Sequence, residues 1–263
     1  MRKHRAAGVC ALVLLLVVLY APLVRLVVNA FNANELATTW GGFTLRWFRA
    51  AVHNDGVRRS IRTSAVLAAF TSMVSVIFGT LLVLGLKYAN RGTVFLGRLL
   101  AVARVTTPEV ILATGLFVML PIIGLHFGFT ALLLGHVVYL TGFVIVLVGA
   151  RAASADPLQE EAAADLGASP ARVLLRVVLP NLYPAIGAAA LLSAAFSFDD
   201  VALSRVLASP TTTTLPLILV SMIQRRVTPE IDAISTLLLV IGAALFVIAL
   251  AAGRGIDTIR QSS

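Results

Sequence analysis

Apolar residues in this chain come in long blocks, and the polar residues between them are short and concentrated. An apolar block needs about 20 residues to cross the hydrocarbon core, and it must be helical to satisfy its own backbone there. Stretches near 7–30, 62–86, 99–121, 129–150, 183–206 and 232–253 meet that condition. The pattern predicts an all-α, polytopic membrane protein with six transmembrane helices. With no repeat, low-complexity tract or boundary in view, residues 1–263 are expected to form a single domain.

The most structured interruption is residues 156–180. Asp156 can cap a helix, Pro157 suits its first position, and Gln159 stands where a capping-box partner would reach back. Gly167 tolerates a helix stop, and Ser169-Pro170 repeats the cap-plus-proline start. Two short helices joined at a glycine are expected. Val173, Leu174, Val177 and Val178 share one side of the second helix, while Arg172 and Arg176 share another. On these grounds alone the pair is either a solvated connector or a docking element.

Other interruptions are less regular. Phe31 to Ile61, with Asn32, Asn34, Trp40 and Trp47, is too polar to cross; its tryptophans suit either an interfacial belt or contact with a protein outside. Pro121 to Thr130 reads as a tight external turn. The stretch from Ser209 to Asp232 is too broken for a span and reads as a short re-entrant or interfacial helix. Gly187, Ser193, Ser197 and the alanines of the fifth span allow close helix packing.

Composition narrows the class. The chain has 263 residues, 59% of them hydrophobic and 13% charged, with mean hydropathy +0.96. That is too apolar for an ordinary soluble domain. The net charge of +9 is scattered at block ends, which fits lipid headgroups and topology rather than nucleic acid. Arg2, Lys3 and Arg5 place the amino terminus in the cytoplasm. An even number of spans then puts both termini there, with Lys87, Arg91, Arg98, Arg151, Arg172, Arg176, Arg254 and Arg260 inside. Arg46, Arg49, Arg58, Arg59, Arg225 and Arg226 run against that bias. The start resembles a signal peptide, but its apolar run is long enough for a retained span. Cys10, the single cysteine, is expected to be a buried, inert thiol. His126 and His136 lack partners at metal-ligand spacing, so a solvated turn and a packed core position are expected, and no metal.

Charged groups within a span are costly and usually face a cavity or a partner. Glu109 falls about ten residues into the third span, near mid-bilayer at about 1.5 Å per residue. Asp199 and Asp200 follow Phe196 and Phe198 in the fifth span. Adjacent residues on a helix diverge by about 100°, so one aspartate at most points straight into a shared cavity. An acidic, phenyl-flanked path suits an organic cation. The competing reading pairs these acids with arginines of a second subunit, and Arg104 offers Glu109 an imperfect partner on its own helix.

Glu161-Ala162-Ala163, then Gly167, then Val177-Val178-Leu179-Pro180 resemble the E-A-A-x-x-x-G-x9-I-x-L-P signature of bacterial ABC importer permeases, with valine for isoleucine at 177. The chain also resembles the spermidine/putrescine (polyamine) type of these type I permeases. The likeness lies in Asn29-Ala-Phe-Asn32, Trp40-Gly-Gly-Phe-Thr44, Thr107-Pro-Glu-Val110, Ser197-Phe-Asp-Asp-Val201, Leu215-Pro-Leu217 and Pro229-Glu-Ile-Asp-Ala233. It extends from about Tyr20 to Gly253.

The resemblance implies that residues 156–180 are a cytoplasmic helix-turn-helix coupling loop. Glu161 would make a polar contact, Ala162 and Ala163 would permit close approach, Gly167 would turn the chain, and Leu179 and Pro180 would close the signature. It implies a permease subunit of the bacterial plasma (inner) membrane, with two separate ATPase subunits, a second and distinct permease subunit, and an extracytoplasmic substrate-binding protein. The solute would be a polyamine or a related cation; an amino-acid-like compound or iron is the variant. ATP and Mg would sit on the ATPase chains, because this sequence has no glycine-rich phosphate loop, and it has no catalytic constellation of its own. An ion-coupled secondary transporter is the alternative of a different class.

Overall fold

The computed structural model describes residues 2–36 and 39–244. The carboxyl-terminal part of the expected sixth span, with Arg254 and Arg260, lies outside the described residues, as do the side chains of Arg2, Lys3, Arg5 and Cys10. The chain divides into two compact units, residues 59–218 and residues 1–58 with 219–263.

In the second of these, α1 (Arg2–Asn29) carries an apolar stretch, Ala11–Asn29, long enough to span. Its leucines and valines are exposed from Val9 to Val24, as on a helix whose solvent is lipid. The segment after it folds around buried Asn32. The Asn32 side chain donates to the Thr39 carbonyl (2.8 Å) and accepts from the amides of Asn34 (3.0 Å) and Gly41 (2.8 Å). Trp47, on α2 (Arg46–His53), donates its indole N–H to the Asn32 carbonyl at 2.8 Å, whereas Trp40 is exposed. A last described helix covers 229–244, and Glu230 at its start accepts from Asn54 at 3.0 Å.

The unit of residues 59–218 is built around α6 (Phe129–Ala153), which packs on α4 (Arg91–Thr106), α5 (Glu109–Ile122), α9 (Leu179–Asp199) and α10 (Ala202–Leu207). Two core clusters lie toward opposite ends of α3 (Asp55–Lys87). One joins Leu67, Ala113, Leu132, Leu203 and Leu207; the other joins Val83, Val144, Val148, Val173, Val178 and Leu182. Buried hydroxyls bond backbone between helices: Ser72 donates to the Ala190 carbonyl (2.7 Å), and Ser64 accepts from the Leu215 amide (2.8 Å) at the start of α11 (Leu215–Arg225). In a bundle without water, such bonds supply what hydrophobic contrast cannot.

Four helices among the described residues are long and apolar enough to cross: Ala11–Asn29, Asp55–Lys87, Phe129–Ala153 and Pro170–Asp199. The expected third span, 99–121, is not one rod. Its halves, α4 and α5, meet at 103° across Thr107-Pro108. Proline has no N–H for the ladder and forces the preceding residue out of the helical region, and both residues are extended, with ψ of 123° and 139°. The depth inferred for Glu109 assumed a straight helix and does not survive this bend.

The fifth span also differs from 183–206. It starts at Pro170 and ends at Asp199, with α10 as a separate turn beyond the break. The second helix of the 156–180 stretch is therefore not short. α8 (Pro170–Val173) continues through a π-helical turn, Leu174–Val178, into α9. That turn sits directly before Pro180 and absorbs its missing donor and bulk, a recognised way for a long helix to pass a proline.

Candidate functional site

Two places concentrate the polar chemistry. The first is α7 (Leu158–Asp165) and the turn after it. The Asp156 carboxylate accepts from the Leu158 amide at 3.0 Å, the cap expected of it. Gln159 does not reach back to complete a capping box; it accepts from Asn181 at 2.8 Å, and the Asn181 carbonyl accepts from Arg151 Nε at 3.1 Å. Glu160 pairs with Lys87 at the end of α3. Gly167 has φ of +80°, the left-handed region that a β-carbon disfavours, and makes the turn.

Val173 and Val178 are buried and Leu174 and Val177 half-buried, while Arg172 and Arg176 are exposed, as their spacing predicts. Ala163 turns inward against that cluster, and Leu179 is half-buried. Glu161, Ala162 and Pro180 face outward. The Glu161 side chain makes no hydrogen bond or ion pair with the described residues, whereas that of Glu160, which sequence reasoning passed over, does. Leu158, Leu175 and above all Leu166, 90% exposed, face outward beside these polar groups.

The second place is a cleft of about 350 Å³ lined by Glu109, Phe196, Asp199, Asp200, Val201 and Ala202. Helix breaks build it. Glu109 is the first residue after the Thr107-Pro108 bend, and Asp199 and Asp200 sit where α9 stops. The divergence expected of the two aspartates is present. Asp199 is exposed, while Asp200 is buried and accepts from the amides of Leu203 (3.3 Å) and Ser204 (2.8 Å), capping α10. Phe196 packs against Phe143 with the rings tilted at 49° (centroids 5.6 Å apart), and Phe198 does not line the cleft.

His136 is fully buried, as a packed core histidine should be, but the fold gives it an acid. Its Nδ1 lies 2.8 Å from Ser197 Oγ and its Nε2 lies 3.3 Å from Asp200 Oδ2. His136 and Asp200 are 64 positions apart, and no sequence spacing could pair them. His126 is exposed in its turn. A larger cleft, about 530 Å³, between α3, α4 and α6 is lined by aliphatic side chains with Lys87 and Arg98, and does not reach the acids.

Glu109 has a partner that sequence reasoning also missed. The Tyr139 hydroxyl donates to its carboxylate, and the Arg104 guanidinium lies over the Tyr139 ring, 4.5 Å from its centre. Arg104 thus meets Glu109 through the tyrosine rather than directly.

Residues 75–258 match the family described as binding-protein-dependent transport system inner membrane component. The chain is 34% identical over 230 residues to the spermidine/putrescine transport system permease protein PotC of Escherichia coli (strain K12), covering 87% of each. It is 33% identical over 234 residues to the putrescine transport system permease protein PotI of the same organism, covering 84% of this chain and 81% of the relative. A chain from the crystal structure of a bacterial alginate ABC transporter, in complex with alginate pentasaccharide-bound periplasmic protein, aligns with TM-score 0.70 and 18% identity. That alignment covers 94% of this chain and 91% of the other, and at such identity it speaks for the fold alone.

Proposed function

The chain belongs to the family of binding-protein-dependent transport system inner membrane components, and from that premise we propose that it forms part of the path by which an ATP-driven importer admits a polyamine or a closely related organic cation. A member of this family is a transport subunit and not an enzyme, and the family's dependence on a binding protein speaks against the ion-coupled alternative.

The observation that carries the solute class is the cleft in which Glu109, Asp199 and Asp200 meet beside Phe196. Carboxylates match ammonium groups, and an aromatic face attracts a cation. Asp199 and Glu109 are the groups open to solute; Asp200 holds the break at the cleft's edge. The relatives named for spermidine and putrescine support the same class.

The 156–180 stretch is the coupling element. Exposed Leu158 and Leu166, at the two ends of a short, capped helix, give apolar surface suited to burial against another protein. Two ATPase subunits, which hold ATP and Mg, would grip it on the cytoplasmic side. A distinct second permease subunit would complete the path, and an extracytoplasmic binding protein would deliver the solute. Closure of the motor would then pull on α7 and, through the continuous helix from Pro170 to Asp199, on the aspartates at its far end.

The test is uptake of radiolabelled spermidine and putrescine by the assembled complex in proteoliposomes. Uptake that needs the binding protein and ATP, and that survives collapse of ion gradients, is the expected result. Uptake of neither amine, with transport of an anionic or neutral solute instead, would overturn the solute class.

A further inference from the structure

Arg104 and Tyr139 do not line the acidic cleft, yet both are fixed behind it. The Tyr139 ring is held on two sides, by the Arg104 guanidinium and by the edge of Phe143 at 5.4 Å. Arg104 is held in turn. Its Nε donates to the Val138 carbonyl on α6 (3.3 Å), and its Nη1 donates to the Thr107 carbonyl (3.4 Å), which the helix break would otherwise leave without a partner.

Gly142 makes this possible, because a β-carbon there would lie 2.6 Å from Arg104 Cγ. Lysine could not cover the ring as a plane and donate in two directions at once. Arg104 is on the helix before the bend, Glu109 on the helix after it and Tyr139 on α6. The three side chains therefore tie both halves of the broken span to the central helix.

We propose that Tyr139 is the positioning residue for Glu109, and that Arg104 acts one step further back by setting the tyrosine ring. The phenol occupies one carboxylate oxygen and leaves the other free to accept from an ammonium group of the solute. A glutamate held in one orientation loses less rotamer freedom on engaging that cation than a free one. This role rests on the cleft being the cation's path.

The experiment is a double-mutant cycle on the complete importer in proteoliposomes, with its binding protein, reading spermidine taken up per ATP hydrolysed. Glu109→Gln is expected to lower that ratio about tenfold or more, and Tyr139→Phe about three- to tenfold. The double variant should be no worse than Glu109→Gln alone, because the tyrosine acts through the carboxylate. Arg104→Lys should fall in the same direction and add nothing to Tyr139→Phe. Each variant should co-purify with the ATPase subunits as the parent does, since a merely structural role would show in assembly and leave the ratio unmoved.

A normal ratio for Tyr139→Phe beside an impaired Glu109→Gln, or additive losses in the double variant, would overturn the positioning role and leave the cation path standing. A normal ratio for Glu109→Gln would sink the path itself.

Discussion

The 156–180 loop and the acidic cleft are assembled in opposite ways. The loop is contiguous: its cap, its turn glycine and its valine stripe all lie within residues 156–180, and the cap and the turn are set by neighbours a few positions away. The cleft draws on α5 and on the end of α9, with Tyr139 and His136 reaching the same acids from α6. It exists only once the bundle has closed. The loop should therefore tolerate changes in the bundle better than the cleft does, and the cleft should divide its acids by role in a way the loop cannot.

The largest effect is expected at the loop. Leu166→Asp places a charge on the most exposed leucine beside the Gly167 turn, and burial of an unpaired charge against a partner is strongly unfavourable. ATP-driven uptake should fall by about tenfold or more, with the chain still inserted and the ATPase subunits lost or uncoupled on co-purification. Unchanged uptake and unchanged co-purification would break the comparison at its root, because the exposed apolar face would then have no partner.

The adjacent aspartates sharpen the cleft's side. Asp200→Asn keeps some capping but removes the charge beside His136, and should lower the stability of the assembled complex by about 1 to 2 kcal/mol. Thermal unfolding in detergent reads this. Asp199→Asn, at an exposed position, should leave that unfolding temperature alone and reduce uptake instead. If both variants behave alike, the division between a solute-facing acid and a helix-capping acid is wrong.

The smallest effect belongs to Lys87→Gln. The Lys87–Glu160 pair ties the loop to α3, but both side chains keep partial contact with solvent, so its loss should cost about 0 to 1 kcal/mol. Uptake at low salt should drop slightly and the difference should fade at high salt. A large loss would mean that this one contact carries the force from loop to bundle.

Sequence reasoning reached the loop almost whole, since caps, proline starts and helical spacing are local rules. It failed there in three ways: Gln159 is taken by Asn181 instead of completing a capping box, Ser169 makes no side-chain cap bond, and the second helix runs on to Asp199 instead of stopping short. For the cleft it found the acids, because ionised groups in apolar blocks are costly and stand out. It did not find Tyr139, a residue ordinary in any span. Nor did it find the bend at Thr107-Pro108, although the pre-proline restriction was legible in the two residues themselves.

The order of residues by itself determined that this chain is a helical membrane protein, where its loop turns, and which charges must justify their place in lipid. Those outcomes follow from hydropathy and from interactions across a few bonds. Only the tertiary structure decided which acid is open and which is spent on a helix cap, and which tyrosine holds Glu109. It alone ran the second loop helix unbroken to the aspartates. Such choices depend on which helices come to lie side by side, and residues 30 or 64 positions apart carry no mark of that until the bundle packs.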